Sequence, residues 1–208
     1  TYTGDASSFQ SISGLRFKPD FVWIKGRNHN QNHILVDSIR GIDKYLKGDD
    51  ADTEGTNVEF VRSLHENGFS VGATGVTNGG SETNVAWCWH EVPGYSKFGR
   101  YVGNANSAHG PFINCGFKPA LVVIKGPNDH WCVHDSARQP GNDNISQLNW
   151  NRNIAESSAG NPINFVSNGF LLGGSNTGSA PGTRTNGNGT SYIYMAWAES
   201  PFKYANAK

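Results

Sequence analysis

His130, Cys132 and His134 alternate along the chain, and alternate residues of a strand share one face. Two imidazoles and a thiol on one face form a zinc donor set. A cysteine beside a histidine is also the first half of a nucleophilic pair. The chain carries its own control, because the same pattern occurs earlier with Asn32, Ile34 and Val36 at the matching places. The face is apolar in that copy, so core packing of Cys132 and His134 outweighs both readings. No metal is expected, and no group that would orient a nucleophile is evident.

Asp37-Ser38-x-Arg40 and Asp135-Ser136-x-Arg138 occur in both copies. With Lys25 and Lys125 they could act as acid/base pairs or as a buried charge network. Residue types shared by both copies most simply serve the fold that both share. The set Lys25, Asp37, Arg40, Lys125, Asp135 and Arg138 is therefore read as a structural charge network, its carboxylates accepting from turn N–H groups. Asp49, Asp50, Asp52 and Glu54 crowd one loop, and alternate acidic side chains can present oxygens to calcium. No glycine or closing glutamate falls at the EF-hand places, and the second copy has Asn151, Arg152, Ile154 and Glu156 instead. A solvated acidic loop is expected.

Trp150, Arg152 and Arg184 belong to loops of the second copy only, with Gly48 and Asp50 opposite the first two. A residue present in one copy alone is freer to serve a particular ligand. Tryptophan beside arginine suits sugar stacking or a protein hot spot; the competing role of Trp150 is to plug the edge of the fold. Asn144-Ile145-Ser146 and Asn188-Gly189-Thr190 match the glycosylation acceptor pattern, which carries little without a secretory context.

The elements that must position these residues repeat. Phe17-Lys18-Pro19-Asp20-Phe21-Val22-Trp23-Ile24-Lys25-Gly26 returns 100 residues later as Phe117 to Gly126. Each copy reads as a strand opened near proline, with an apolar run that suggests burial on both faces, closed by Lys-Gly. His33–Ser38 and Trp131–Ser136 form the next strands. Asn67-Gly68-Phe69 and Asn168-Gly169-Phe170 read as hairpins with Asn-Gly at the two central turn positions. Loops Gly72–Thr83 and Gly173–Thr190 follow, then the strands Asn84–Trp89 and Tyr192–Trp197. The best helical stretch is short, at 38–46. About seven short strands per copy imply an all-β fold: a β-sandwich built from two tandem pseudo-symmetric repeats of about 100 residues, 1–100 and 101–208, packed tightly enough to form one continuous domain.

Composition agrees. Glycine is 26 and asparagine 23 of 208 residues, which supplies turns and left-handed backbone positions. Charged residues are 16% and the formal net charge is zero, so nucleic acid is set aside as a partner. Three cysteines, an odd number without close spacing, argue against a disulfide framework and fit assembly in a reducing cytoplasm. No run approaches the ~20 apolar residues of a membrane helix. A chain opening on Thr1 reads as a piece of a longer protein.

Taken as a set, the series Tyr-x-Gly, Phe-x-Pro-x-apolar-Ile-Lys, Asp-Ser-x-Arg, Asn-Gly-Phe and the Trp-rich strand resembles a known family. It is closed by Gly94-Tyr95-Ser96-Lys97-Phe98-Gly99 and by Pro201-Phe202-Lys203-Tyr204-Ala205-Asn206. The chain is similar to the tandem-repeat domain at the C-terminal ends of tailed-phage virion proteins, notably those of marine and cyanobacterial phages. Loops 139–164 and 173–190 depart most from that pattern. The resemblance implies a tail-fibre or tail-appendage module, located in the virion tail and assembled in the host cytoplasm. It further implies contact with other virion proteins, a homotrimer, and a host cell-surface receptor, either a glycan or an outer-membrane protein. It carries over no catalytic residue and no cofactor. The expected function is receptor binding without catalysis, through Trp150, Arg152 and Arg184. The alternatives are a purely structural decoration or baseplate part and a glycan-cleaving tail enzyme. No carboxylate pair of the kind glycoside hydrolysis needs stands out.

Overall fold

The structure is a computed structural model that describes residues 1–106, 108–138, 146–157, 163–173 and 183–199. The glycosylation-like Asn144-Ile145, the motif Pro201–Asn206 and parts of loops 139–164 and 173–190 lie outside these residues. The chain divides into two compact units, Thr1–Glu91 and Val92–Lys208. The division falls before the expected 100/101 boundary because residues 96–102 form a strand that pairs within the second unit.

Unit one has nine strands: β1 (Tyr2–Thr3), β2 (Gln10–Ser13), β3 (Phe21–Gly26), β4 (Ile34–Asp37), β5 (Lys44–Lys47), β6 (Gly55–Thr56), β7 (Ser63–His65), β8 (Gly68–Val71) and β9 (Thr83–Trp89). They form a six-stranded sheet, β1-β9-β3-β4-β5-β6, and a three-stranded sheet, β2-β8-β7. Unit two has β10 (Ser96–Val102), β11 (Phe112–Asn114), β12 (Pro119–Lys125), β13 (Cys132–Asp135), β14 (Leu148–Asn149), β15 (Ile163–Val166), β16 (Gly169–Leu172), a four-residue helix α1 (Thr183–Asn186) and β17 (Ser191–Ala198). Its sheets run β10-β17-β12-β13-β14 and β11-β16-β15. An isolated bridge between Gln147 and Ser157 stands where unit one has β5 and β6. The fold is therefore all-β, and the same strand order occurs twice.

The repeated apolar strands β3 and β12 sit in mid-sheet, each hydrogen-bonded on both sides. Their side chains alternate between faces. Val22 and Ile24 join Ile34 and Val36 of β4 and Phe69 and Val71 of β8 in one apolar cluster. Val122, Ile124 and Cys132 do the same with Phe165 of β15 and Phe170 of β16. In each unit the large and small sheets thus share a core, which is what a sandwich requires. The opposite faces of β3 and β12 are apolar too, with Phe21 and Val123 buried.

The hairpins fall where the Asn-Gly pairs stand, but one residue out of register. His65 pairs with Gly68 and Val166 with Gly169, so the loop residues are Glu66-Asn67 and Ser167-Asn168. Each glycine opens the returning strand instead. A Cβ on Gly68 would strike the Ile12 carbonyl, and one on Gly169 the Ile113 carbonyl, where β2 and β11 press close. The stretch 38–46 is a turn followed by β5, not a helix.

Candidate functional site

Asp37 ends β4. Its Oδ1 accepts the N–H groups of Ile39 at 3.1 Å and Arg40 at 2.9 Å. Arg40 Nε–H donates to Asp37 Oδ2 at 2.6 Å, and Nη1 reaches Glu54 at 3.3 Å. Arg40 Nη2 donates to the Leu35 carbonyl at 3.4 Å. Unit two repeats this atom for atom. Asp135 Oδ1 accepts from Ala137 at 3.1 Å and Arg138 at 2.8 Å, and Arg138 reaches Asp135 Oδ2, Glu156 and the Val133 carbonyl. Burial alone would raise the Asp135 carboxyl. The Arg138 backbone and guanidinium outweigh it and hold that carboxyl below the usual range. An Asp-x-x-Arg turn that binds its own N–H groups and a glutamate across the sheet edge is a strand-end clamp.

The two lysines do not belong to this clamp. Asp37 pairs with Phe21 at one end of β3, and Lys25 lies four residues further along, about 13 Å at the usual strand rise. Lys25 Nζ donates to the Gln31 carbonyl at 2.6 Å, and buried Lys125 to the Gly126 carbonyl at 2.9 Å. The sequence placed them with the aspartates because both pairs recur; the register separates them.

Trp150, Arg152 and Arg184 converge on the turn between β12 and β13. Trp150 stacks on fully buried Trp131, with ring centroids 4.5 Å apart and planes at 29°. Arg184, on α1, places Nε 3.5 Å from Asp129 Oδ1. The same carboxylate accepts the His130 N–H at 2.7 Å. Asn151 ties the turn to the segment carrying Arg152: its Oδ1 accepts the Trp131 N–H at 3.2 Å, and its Nδ2 lies 3.0 Å from His130 Nδ1. Asparagine donating to Nδ1 leaves the neutral ring's proton on Nε2. Burial pushes the His130 imidazole down, and the fields of Arg152 and Arg184 push it the same way against Asp129. His130 and Asp129 are thus members of this group. Their approach to Arg184 depends on chain folding across more than 50 residues, which no local spacing reveals.

Unit one builds the same place differently. Its His33 N–H donates to Asp49 Oδ1 at 2.9 Å, the counterpart of the Trp131–Asn151 bond. Trp23 Nε1–H donates to His33 Nδ1 at 2.8 Å. A Cβ on Gly48 would already lie 3.3 Å from the Trp23 ring. The indole therefore comes from β3 in unit one and from Trp131 and Trp150 in unit two. Trp150 has a packing duty whatever else it does. The position matching Arg184 is Val76, since Tyr2 Oη donates to the Thr77 carbonyl and Tyr101 Oη to the Thr185 carbonyl, both at 2.6 Å.

The alternating set separates. Cys132 and His134 are fully buried, while His130 bonds to Asn151. Burial lifts the Cys132 thiol to about 12 and pushes the His134 imidazole down to about 4. A thiol kept protonated is a poor nucleophile. The acids of loop 49–54 are spoken for individually. Asp49 accepts from Asn32 and His33, Asp52 from Lys47 at 2.6 Å, and Glu54 from Arg40. Among the described residues no group of three or more His, Cys, Asp or Glu could hold a metal ion. All three cysteines are free thiols.

A family model described as Domain of unknown function (DUF7483) matches residues 1–91 and again residues 69–201. No curated protein and no solved structure matches the chain.

Proposed function

The chain belongs to the DUF7483 family along both of its units, and we propose that it is a binding module of a phage tail fibre or related tail appendage. In this reading it holds a host cell-surface receptor without transforming it. The observation that carries the reading is an asymmetry inside a repeat. The strand-end clamps are the same in both units, whereas Trp150, Arg152 and Arg184 gather at one edge of unit two. Unit one has Gly48, Asp50 and Val76 at those places. A loop cluster that the shared fold does not need, on a rigid β scaffold, is where binding residues concentrate. The virion setting and a homotrimeric assembly rest on the resemblance of the motif series. The absence of catalysis is supported by how the reactive groups are held. The Cys132 thiol is raised, and Asp37 and Glu54 are both engaged by Arg40.

The test is binding of labelled protein to a panel of marine bacterial and cyanobacterial cells. Arg152 and Arg184 replaced together by alanine should weaken binding by about 2 kcal/mol or more if they are hot spots, roughly 30-fold in affinity. Trp150 is a poorer probe, because its truncation uncovers Trp131. Equal binding by the folded double variant would reject this surface.

A further inference from the structure

We propose that unit two binds an acidic saccharide through Arg152, Arg184 and His130, beside Trp150. The inference rests on the receptor-binding reading and names the chemistry of what is held. Four positions at one edge differ between the units in a single sense. Asn32, Gly48, Asp50 and Val76 of unit one become His130, Trp150, Arg152 and Arg184. Across these four positions one acid gives way to two guanidiniums, an imidazole and an indole, while unit one keeps an imidazole and an indole beside them in His33 and Trp23.

These arginines are not held as a structural arginine is held here. Arg138 is locked by Asp135, Glu156 and a backbone carbonyl. Arg184 has one 3.5 Å approach to Asp129 through Nε. Arg152 is exposed; its backbone N–H donates to the Asn149 carbonyl at 3.2 Å, and its guanidinium has no partner among the described residues. Both arginines belong to segments anchored at one point, the His130 turn. Arg152 follows Asn151, which accepts the Trp131 N–H and lies 3.0 Å from His130 Nδ1. Arg184 approaches Asp129, which accepts the His130 N–H. Both charges act on His130 in the same direction. Asp129 is the acid facing that point, so two guanidiniums and one carboxylate leave a net positive site with His130 neutral. A planar guanidinium fork is suited to a carboxylate or phosphate group. An anion arriving there would offset the arginine fields and favour a proton on His130.

The neighbouring surface favours a sugar over a bare anion. Trp150, half-buried and stacked on Trp131, stands two residues before Arg152. Exposed Asn153 and Asn188 stand in the same two segments as the arginines. Aromatic surface with adaptable amide hydrogen bonding suits a ring that presents both C–H and O–H groups.

The experiment is calorimetric titration of the intact chain with trigalacturonate, 3′-sialyllactose and a sulfated disaccharide, beside maltotriose and inorganic phosphate. At least one acidic saccharide should bind, more weakly at high salt, and Arg152→Gln and Arg184→Ala should each lower its affinity about tenfold or more. The His130 titration followed by NMR should move upward in the complex. Arg152→Gln touches no partner among the described residues and keeps the test valid if Arg184→Ala unfolds. Binding of no acidic saccharide, equal binding of maltotriose, indifference to Arg152→Gln, or an unmoved His130 would each overturn the proposal. Phosphate binding as tightly as the saccharides would reduce it to a bare anion site and overturn the sugar. Cell binding that no acidic saccharide competes with would sink this inference and leave the receptor reading standing. Saccharide binding with no cell in the panel bound would do the reverse.

Discussion

His134 stands in the core where unit one has Val36, and that exchange sets how unit two meets acid. The ring is fully buried, and a backbone hydrogen bond at Ser146 and the nearby Asp135 charge only partly offset that burial. Burial is the main cause of its pKa falling from 6.5 to about 4, and the Arg138 charge adds to it. The folded state therefore requires the neutral ring, while the unfolded chain takes up a proton once the pH drops below about 6.5. Stability is fully present above that value and is lost as pH falls toward about 4, where both states are charged. A fall from 6.5 to about 4 corresponds to about 3 kcal/mol. His130 is also pushed down, chiefly by burial, and adds to the loss with the same sign. The lowered carboxyls of Asp135 and Glu156 act at lower pH. Replacing His134 by valine isolates its share. Denaturant unfolding should show the wild type losing about 3 kcal/mol more than His134→Val between about pH 6.5 and pH 4. Parallel stability curves would show that the ring is not held neutral by burial.

At the scale of elements, the strand-end clamp gives the sharpest comparison, because one motif sits in two degrees of burial. The side chains of Asp37 and Arg40 are 4% and 7% exposed, those of Asp135 and Arg138 23% and 24%. Removing one partner of a buried pair typically costs about 3–5 kcal/mol, because it strands the other charge. A partly exposed pair costs less, since water solvates what is left. Asp37→Ala should therefore destabilise the protein clearly more than Asp135→Ala, by about 1–2 kcal/mol on this ranking. Equal losses would mean that the turn N–H bonds, which both aspartates share, carry the whole effect. The turn after the clamp also explains what the sequence hid. The stretch 38–46 lacks a helix although Asp37 accepts N–H groups as a helix N-cap does, because Gly41 turns the backbone at φ 106° and Tyr45 to Lys47 pair with β4. The strands were legible because apolar alternation and repetition write them directly into the chain. The hairpins were legible in place but not in register, because Gly68 and Gly169 answer to the carbonyls of Ile12 and Ile113 rather than to the turn. At the candidate site, Trp150 and Arg152 were visible as residues that one copy has and the other lacks. His130 was visible only as a zinc candidate and Asp129 not at all, because only the folded β12–β13 turn brings them to Arg184.

For the whole molecule, the repeat implies two separate folding problems, and the position of the cut decides whether each can be solved alone. All pairings of β1 to β9 stay within residues 1–91, and so does the unit-one core cluster. About ninety residues suffice for a domain, though a marginal one. A fragment of residues 1–91 should therefore unfold cooperatively by itself. In unit two, β10 pairs with β17 from Ser96↔Trp197 to Val102↔Ser191. Cutting at the 100/101 boundary that repetition suggests would remove Ser96 to Arg100, five of those seven pairs. It would also remove Phe98, which is buried against solvent and packs its ring edge-on to Trp197 at 6.0 Å. Losing one buried Phe side chain alone costs about 1.5–3 kcal/mol, and β17 would be left as an unprotected edge. The fragment 92–208 should fold cooperatively, and 101–208 should be less stable by at least about 2 kcal/mol or aggregate. Thermal melts followed by circular dichroism read both outcomes. If 101–208 melts like 92–208, β10 is dispensable and the unit boundary lies where repetition alone would put it. If 1–91 shows no cooperative melt, the first unit lacks a self-sufficient core.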